Sequence, residues 1–124
     1  MVEETKKKLS QDQLNVLQKK ATEPAFSGKL LNEKRNGTFE CAYCGQKIFD
    51  SKSKFDSDSG WPSFCEALPG SVTLEEDNSH FMKRTEARCS KCGSHLGHMF
   101  NDGPRPKGKR FCINSLAMEF KTKK

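Results

Sequence analysis

Six cysteines and three histidines are the residues of this 124-residue chain best equipped for chemistry, and the cysteines divide into two kinds. Four of them form two knuckles, Cys41-Ala42-Tyr43-Cys44-Gly45 and Cys89-Ser90-Lys91-Cys92-Gly93. The short spacer lets both sulfurs of a knuckle converge on one ion, and two knuckles complete a tetrahedral sulfur set of the kind that holds zinc. A closed site of this type has no open position for substrate, so its zinc, one per chain, is expected to be structural. Two other readings compete. Redox-active Cys-x-x-Cys pairs would not need duplicating. A set of Cys89, Cys92, His95 and His98 would crowd every ligand into one short segment and leave Cys41 and Cys44 without partners. The all-cysteine site is preferred to both.

Cys65 and Cys112 are left over. Phe111 and Ile113 alternate as a strand would have them, which puts Arg110, Cys112 and Asn114 on the opposite face. A permanent cation beside a thiol favours the thiolate, the nucleophilic form. Taken alone, the same strand is also the commonplace setting of a small, buried, inert cysteine. With four other cysteines committed to a metal, and His95 and His98 unemployed, the reading moves towards a nucleophile with a proton donor.

The elements that must position these residues are short. Ser10-Gln11-Asp12-Gln13 reads as a capping box opening a helix that ends near Lys20, before Pro24. Ala25–Leu31 reads as an extended arm, Asn36-Gly37 as a tight turn, and Thr38–Cys41 as a strand ending in the first knuckle. Ile48–Asp50 and Lys54–Asp56 are strand or turn pieces, and Gly60-Trp61-Pro62-Ser63-Phe64 is a proline-stiffened loop. Val72–Leu74 leads to an acidic turn at Glu76-Asp77-Asn78, His80–Cys89 runs as a strand into the second knuckle, and Asn101–Gly108 is a loop. The fold class is mainly β with one N-terminal helix.

At this length the chain is one domain with a modest core, which a metal would staple. Net charge is +6, but the first eight residues carry +1 of it and the last four +3, leaving +2 between them. The basic excess therefore belongs to the ends, which argues against nucleic acid as a partner. No apolar run reaches membrane-spanning length and the N-terminus lacks the apolar core of a signal peptide, so the expected setting is the cytoplasm, where cysteines serve metals or thiol chemistry.

Gly60-Trp61-Pro62-Ser63-Phe64, Arg84-Thr85-Glu86, His95-Leu96-Gly97-His98-Met99-Phe100, Asp102-Gly103-Pro104 and Arg110-Phe111-Cys112-Ile113-Asn114-Ser115, together with the knuckles, resemble the peptide methionine-R-sulfoxide reductase (MsrB) family in order from about Ser10 to Phe120. The resemblance implies a β-tent fold of two antiparallel sheets with the zinc at Cys41, Cys44, Cys89 and Cys92. It implies a basic tail over residues 1–9, a catalytic domain over 10–120 and a basic tail over 121–124. It also implies roles: Cys112 attacks the sulfoxide, Trp61 and Phe100 shape a pocket for the S-methyl, and His95, His98 and Asn114 form the polar side, with Arg110 beside the thiol. Expected partners are oxidised proteins or peptides and thioredoxin or another thiol reductant, acting on a monomer with no membrane or nucleic acid.

One position departs from the pattern. Where many members carry a recycling cysteine, two residues before the tryptophan, this chain has Ser59, and Cys65 is the only other cysteine able to resolve a sulfenic acid at Cys112. A zinc-ribbon binding module is the rival reading from another class. It needs an ordered basic or aromatic patch, and it has no use for Cys112 between Arg110 and Asn114.

Overall fold

The computed structural model describes residues 9–19, 21–57, 59–78, 83–104 and 108–122. The helix α1 spans Gln11–Lys19. Its capping box is made in both directions: the Gln13 N–H donates to Ser10 Oγ at 3.1 Å, and the Ser10 N–H donates to Gln13 Oε1 at 2.9 Å. Val16 and Leu17 bury the inner face of the helix.

Two antiparallel sheets make up the rest. The smaller contains β1 (Gly37–Cys41), β2 (Lys47–Asp50) and, from the far end of the chain, β9 (Met118–Thr122), in the order β2-β1-β9. The larger contains β3 (Lys54–Phe55), β4 (Ser63–Phe64), β5 (Val72–Asp77), β6 (Arg84–Cys89), β7 (His95–Phe100) and β8 (Arg110–Ile113), in the order β3-β4-β8-β7-β6-β5. Phenylalanines lock the sheets together. Phe49 from β2 stacks on Phe64 from β4 with centroids 4.1 Å apart, Phe39 from β1 meets Phe64 edge-on at 5.0 Å, and Phe111 from β8 meets Phe49 at 5.7 Å. Such pairs are each worth ~0.5–1.5 kcal/mol beyond their buried area. Phe64 thus fixes β4, and with it the neighbouring strand β8 that carries Cys112.

Several sequence expectations need correction. Ser63 and Phe64 are a strand rather than loop: two residues are too few to show alternation, yet both pair with β8, and the Pro62 carbonyl accepts the Ile113 N–H at 2.9 Å. The acidic turn begins too late to include Glu76 and Asp77, because β5 runs through Asp77. Its acids are matched by bases, Glu75 to Arg88 at 2.9 Å and Asp77 to Arg84 at 3.9 Å. The arm is folded rather than extended, turning where the Ser27 N–H meets the Pro24 carbonyl and again at Gly28 to Leu31. At the C-terminus Lys121 and Thr122 lie in β9, paired with Thr38 and Gly37, and at the N-terminus Leu9 packs on the core. The expected strand segment His80–Met82, Lys20, most of the N-terminal tail and the last two lysines lie outside the described residues.

Candidate active site

The alternation expected of β8 is present: Phe111 and Ile113 are buried while Arg110 and Cys112 are half-buried on the other face. Ser63 of β4 lies directly across from Cys112 on one side and His98 of β7 on the other, and Glu86 of β6 lies across from His98. Directly opposed residues project from the same face of a sheet, so Ser63, Cys112, His98 and Glu86 form a row across four strands.

Within this row the sulfur has polar company. Arg110 Nη1 donates to Cys112 Sγ at 2.8 Å, Ser59 Oγ lies 3.4 Å away and Ser63 Oγ 3.8 Å away. The guanidinium is itself held, through a fork to Asp102 at 2.8 and 3.0 Å and by the Phe100 ring, whose centroid is 4.5 Å from it. The Asp102 hydrogen bonds raise the Arg110 pKa above its usual value, and the nearby Cys112 sulfur adds to the effect; the Asp102 carboxyl is correspondingly lowered. A fixed positive charge therefore faces the thiol.

Three positions apart on an ideal strand, His95 and His98 would point to opposite faces. They do not, because the β6–β7 register shifts between Ala87 and Arg88, and this bulge turns His95 back towards His98. Their rings meet edge-on, 5.5 Å apart. Each imidazole has a carboxylate: His95 Nδ1 is 2.7 Å from Glu86 Oε2, and His98 Nε2 is 2.8 Å from Asp77 Oδ2. Exposure separates them. The His95 side chain is 2% accessible and that of His98 is 12%, so His98 is the more open of the two.

Trp61 is half-buried, and its indole N–H donates to the Glu23 carbonyl at 2.9 Å. Asn114 is placed differently from the expectation that it contacts substrate: it is 3% exposed, its Oδ1 accepts the Glu23 N–H at 3.0 Å, and its Nδ2 donates to the Leu96 carbonyl at 3.0 Å. Cys65 faces a different hollow, lined by Leu74, Lys109 and Phe111, and no hydrogen-bond-range contact joins it to Cys112.

The four knuckle sulfurs converge, all within 4.8 Å of one another, with Cys41 Sγ 3.7 Å from Cys92 Sγ and Cys44 Sγ 3.6 Å from Cys89 Sγ. Metal–thiolate bonds of ~2.3 Å in a tetrahedron put sulfurs roughly 3.8 Å apart, so the set fits a metal. Its charge balance agrees. Four sulfurs this close cannot all ionise unaided: hydrogen bonds to Cys89 and Cys92 push the Cys41 thiol far up, and the bonds from Cys41 and Cys89 pull Cys92 far down. Burial pushes Cys44 up to about 11. A bound cation removes that conflict. Gly45 and Gly93, at φ 81° and 77°, close the knuckles in matching fashion, each donating its N–H to the carbonyl of the knuckle's first cysteine at 2.9 and 2.8 Å. The alternative set with His95 and His98 is not assembled, since both rings are engaged by carboxylates instead.

Sequence reasoning misses the parts played by Asp77, Asp102, Ser63 and Glu23, and it quotes Glu86 within a motif without naming His95 as its partner. Asp102 sits within one of the motifs, but nothing in its spacing names Arg110 as its partner. Asp77 is hidden by its apparent place in a turn.

Comparison with known proteins agrees with this geometry. The SelR domain family matches residues 9–122. A protein of Methanosarcina barkeri named peptide methionine sulfoxide reductase MsrB is 54% identical over 121 residues, which is 97% of this chain and 85% of its own length. Proteins of the same name from Leptospira interrogans and Escherichia coli are 51% and 49% identical, each covering 95% of this chain. Among solved structures, the crystal structure of the Mis18 "Yippee-like" domain shares the fold, with a TM-score of 0.58 at 18% identity over 73% of this chain and 99% of that one. The match along nearly the whole length places this chain in the SelR family, among the methionine sulfoxide reductases of the MsrB type.

Proposed function

We propose that the chain reduces the R epimer of methionine sulfoxide in oxidised proteins and peptides, with Cys112 as nucleophile. The observation that carries this reading is the half-buried Cys112 sulfur, held by Arg110 at 2.8 Å and directly across the strand ladder from His98. Expelling oxide from sulfur requires both a nucleophile at sulfur and a proton at oxygen. Arg110, always charged, stabilises the attacking thiolate. His98 supplies the proton, and Asp77, 2.8 Å from its Nε2, holds the ring in place. His95, sealed against Glu86, buttresses it. Trp61 walls off a slot for the S-methyl, with Phe100 beneath Arg110 on the same side, and Asn114 serves through the backbone it holds.

The thiolate bonds to the sulfoxide sulfur, and protonation then lets the oxygen pass to Cys112 as the thioether departs. Two electrons have moved from Cys112 to the substrate sulfur, leaving methionine and Cys112 sulfenic acid. An outside thiol condenses with that sulfenic acid, releasing water and forming a mixed disulfide. A second thiol displaces Cys112 and leaves the reductant oxidised. Thioredoxin, or another thiol reductant, fills this role. Cys41, Cys44, Cys89 and Cys92 hold one zinc, which supplies folding energy and takes no part in the reaction. The catalytic unit spans residues 9–122 and acts as a cytoplasmic monomer, without nucleic acid or membrane; among the described residues no helix is long and apolar enough to cross one.

The test is an assay of both epimers of a methionine-sulfoxide peptide with dithiothreitol. The R epimer should be reduced, and Cys112→Ser should abolish this while leaving metal content unchanged. Preference for the S epimer would defeat the proposal.

A further inference from the structure

We propose that the arm Glu23–Phe26 is part of the substrate pocket and that Glu23 is the residue that positions Trp61. The inference rests on the reading of Trp61 as the methyl-pocket wall. Trp61 follows Gly60, at φ 95°, in a loop whose Ser59 and Ser63 hydroxyls bond to the Trp61 backbone rather than to its ring. The arm grips it at two points. The indole N–H donates to the Glu23 carbonyl at 2.9 Å, and the Phe26 N–H donates to the Gly60 carbonyl at 2.7 Å.

Holding that grip is unfavourable locally. Phe26 adopts φ 66°, a left-handed conformation costing about 1–2 kcal/mol in a non-glycine residue, and the residue is 68% exposed, so core packing does not offset the cost. The compensation comes from Glu23. Only 3% exposed, it donates its N–H to Asn114 Oδ1 at 3.0 Å and accepts the Leu116 N–H on Oε1 at 3.0 Å. Gly28 then passes so close that a Cβ there would collide with both Ser115 Oγ and Glu23 Oε2. Asn114 lies two residues beyond Cys112 and also ties to the Leu96 carbonyl on the strand of His98. Glu23 thus references the tryptophan to the strands that carry the nucleophile and the proton donor, through backbone hydrogen bonds at both ends.

Trp61 is the chain's only tryptophan, so its fluorescence reads the brace directly. The full-length protein is compared with Glu23→Ala, Glu23→Gln and Glu23→Asp for emission maximum, acrylamide quenching, kcat and KM on the R-epimer peptide, and the alkylation rate of Cys112. For Glu23→Ala we expect red-shifted, more quenchable emission and a kcat/KM lower by roughly 10- to 100-fold, the scale of a ~1 Å misplacement, with Cys112 alkylated at the wild-type rate. Glu23→Gln keeps an acceptor for the Leu116 N–H and should restore both emission and kcat/KM. Glu23→Asp, a methylene too short for that bond but still polar, carries the same test if Glu23→Ala does not fold. Wild-type emission in Glu23→Ala or Glu23→Asp overturns the brace, as does lost activity with unchanged emission. Full activity of Trp61→Ala would instead remove the pocket reading beneath it, a failure told apart by the shifted emission of the Glu23 variants.

Discussion

Ser59 Oγ, 3.4 Å from Cys112 Sγ, stands where a sulfur would have to stand to resolve a sulfenic acid. Oxygen there can hydrogen-bond but cannot form the disulfide. With Cys65 turned to the hollow of Lys109 and Phe111, a single turnover without reductant should consume one thiol and leave a trappable sulfenic acid on Cys112. Ser59→Cys should change the outcome to two thiols lost, with mass analysis finding the introduced sulfur linked to Cys112; a wild-type disulfide between Cys65 and Cys112 would refute this. The two histidines make a second comparison. His98→Ala removes the accessible proton donor and should cost ~10²- to 10⁴-fold in kcat/KM, whereas His95→Ala should act more through stability, because its sealed pair with Glu86 is lost. At this scale the sequence is informative about which residues are chemical: Cys112, His98 and Arg110 are legible by type. It is silent about their partners, because Asp77 reaches His98, and Asp102 reaches Arg110, only through the folded chain.

Strands β7 and β8 approach each other more closely than two side-chain-bearing strands would permit. A Cβ at Gly97 would collide with the Cys112 carbonyl and lie 2.9 Å from Ile113 Cα, both backbone atoms that cannot rotate away. Gly97→Ala should therefore force β7 from β8, lowering the urea midpoint by an amount equivalent to ~1–3 kcal/mol and reducing kcat/KM, with metal content preserved. Unchanged stability and activity would mean that the ladder is more tolerant than its spacing implies. Elements defined by local rules are readable in advance, as with the capping box of α1, the alternation of Phe111 and Ile113, and the glycine-closed knuckles. The bulge that brings His95 beside His98 is not readable, nor is the two-residue strand β4, nor the acidic half of β5. Each exists because of a neighbour distant in sequence: β6 for the bulge, β8 for β4, and the arginines of β6 for the acids.

The two sheets of the molecule are joined at one end by the aromatic stack and at the other by the knuckles, since Cys41 closes β1 of the small sheet and Cys89 closes β6 of the large one. β7 begins three residues after Cys92, with the Cys89 N–H bonded to the Ser94 carbonyl at 2.9 Å, so the strand carrying both histidines starts from the turn of the second knuckle. Magnitudes decide what metal loss does. A structural zinc contributes ~10–16 kcal/mol of apparent binding energy, against about 5–15 kcal/mol of net stability for a whole domain. The metal-free chain is therefore expected to unfold or nearly so, although none of its four ligands touches Cys112. Because thiols must lose their protons to bind, mild acid should release the ion as effectively as a chelator does. Elemental analysis should find one zinc per chain, and titration with a chelator should lower metal content, near-ultraviolet dichroism and R-epimer reduction in parallel. Activity that survives complete metal removal would show that the phenylalanine core alone can hold β8 and β7 in register.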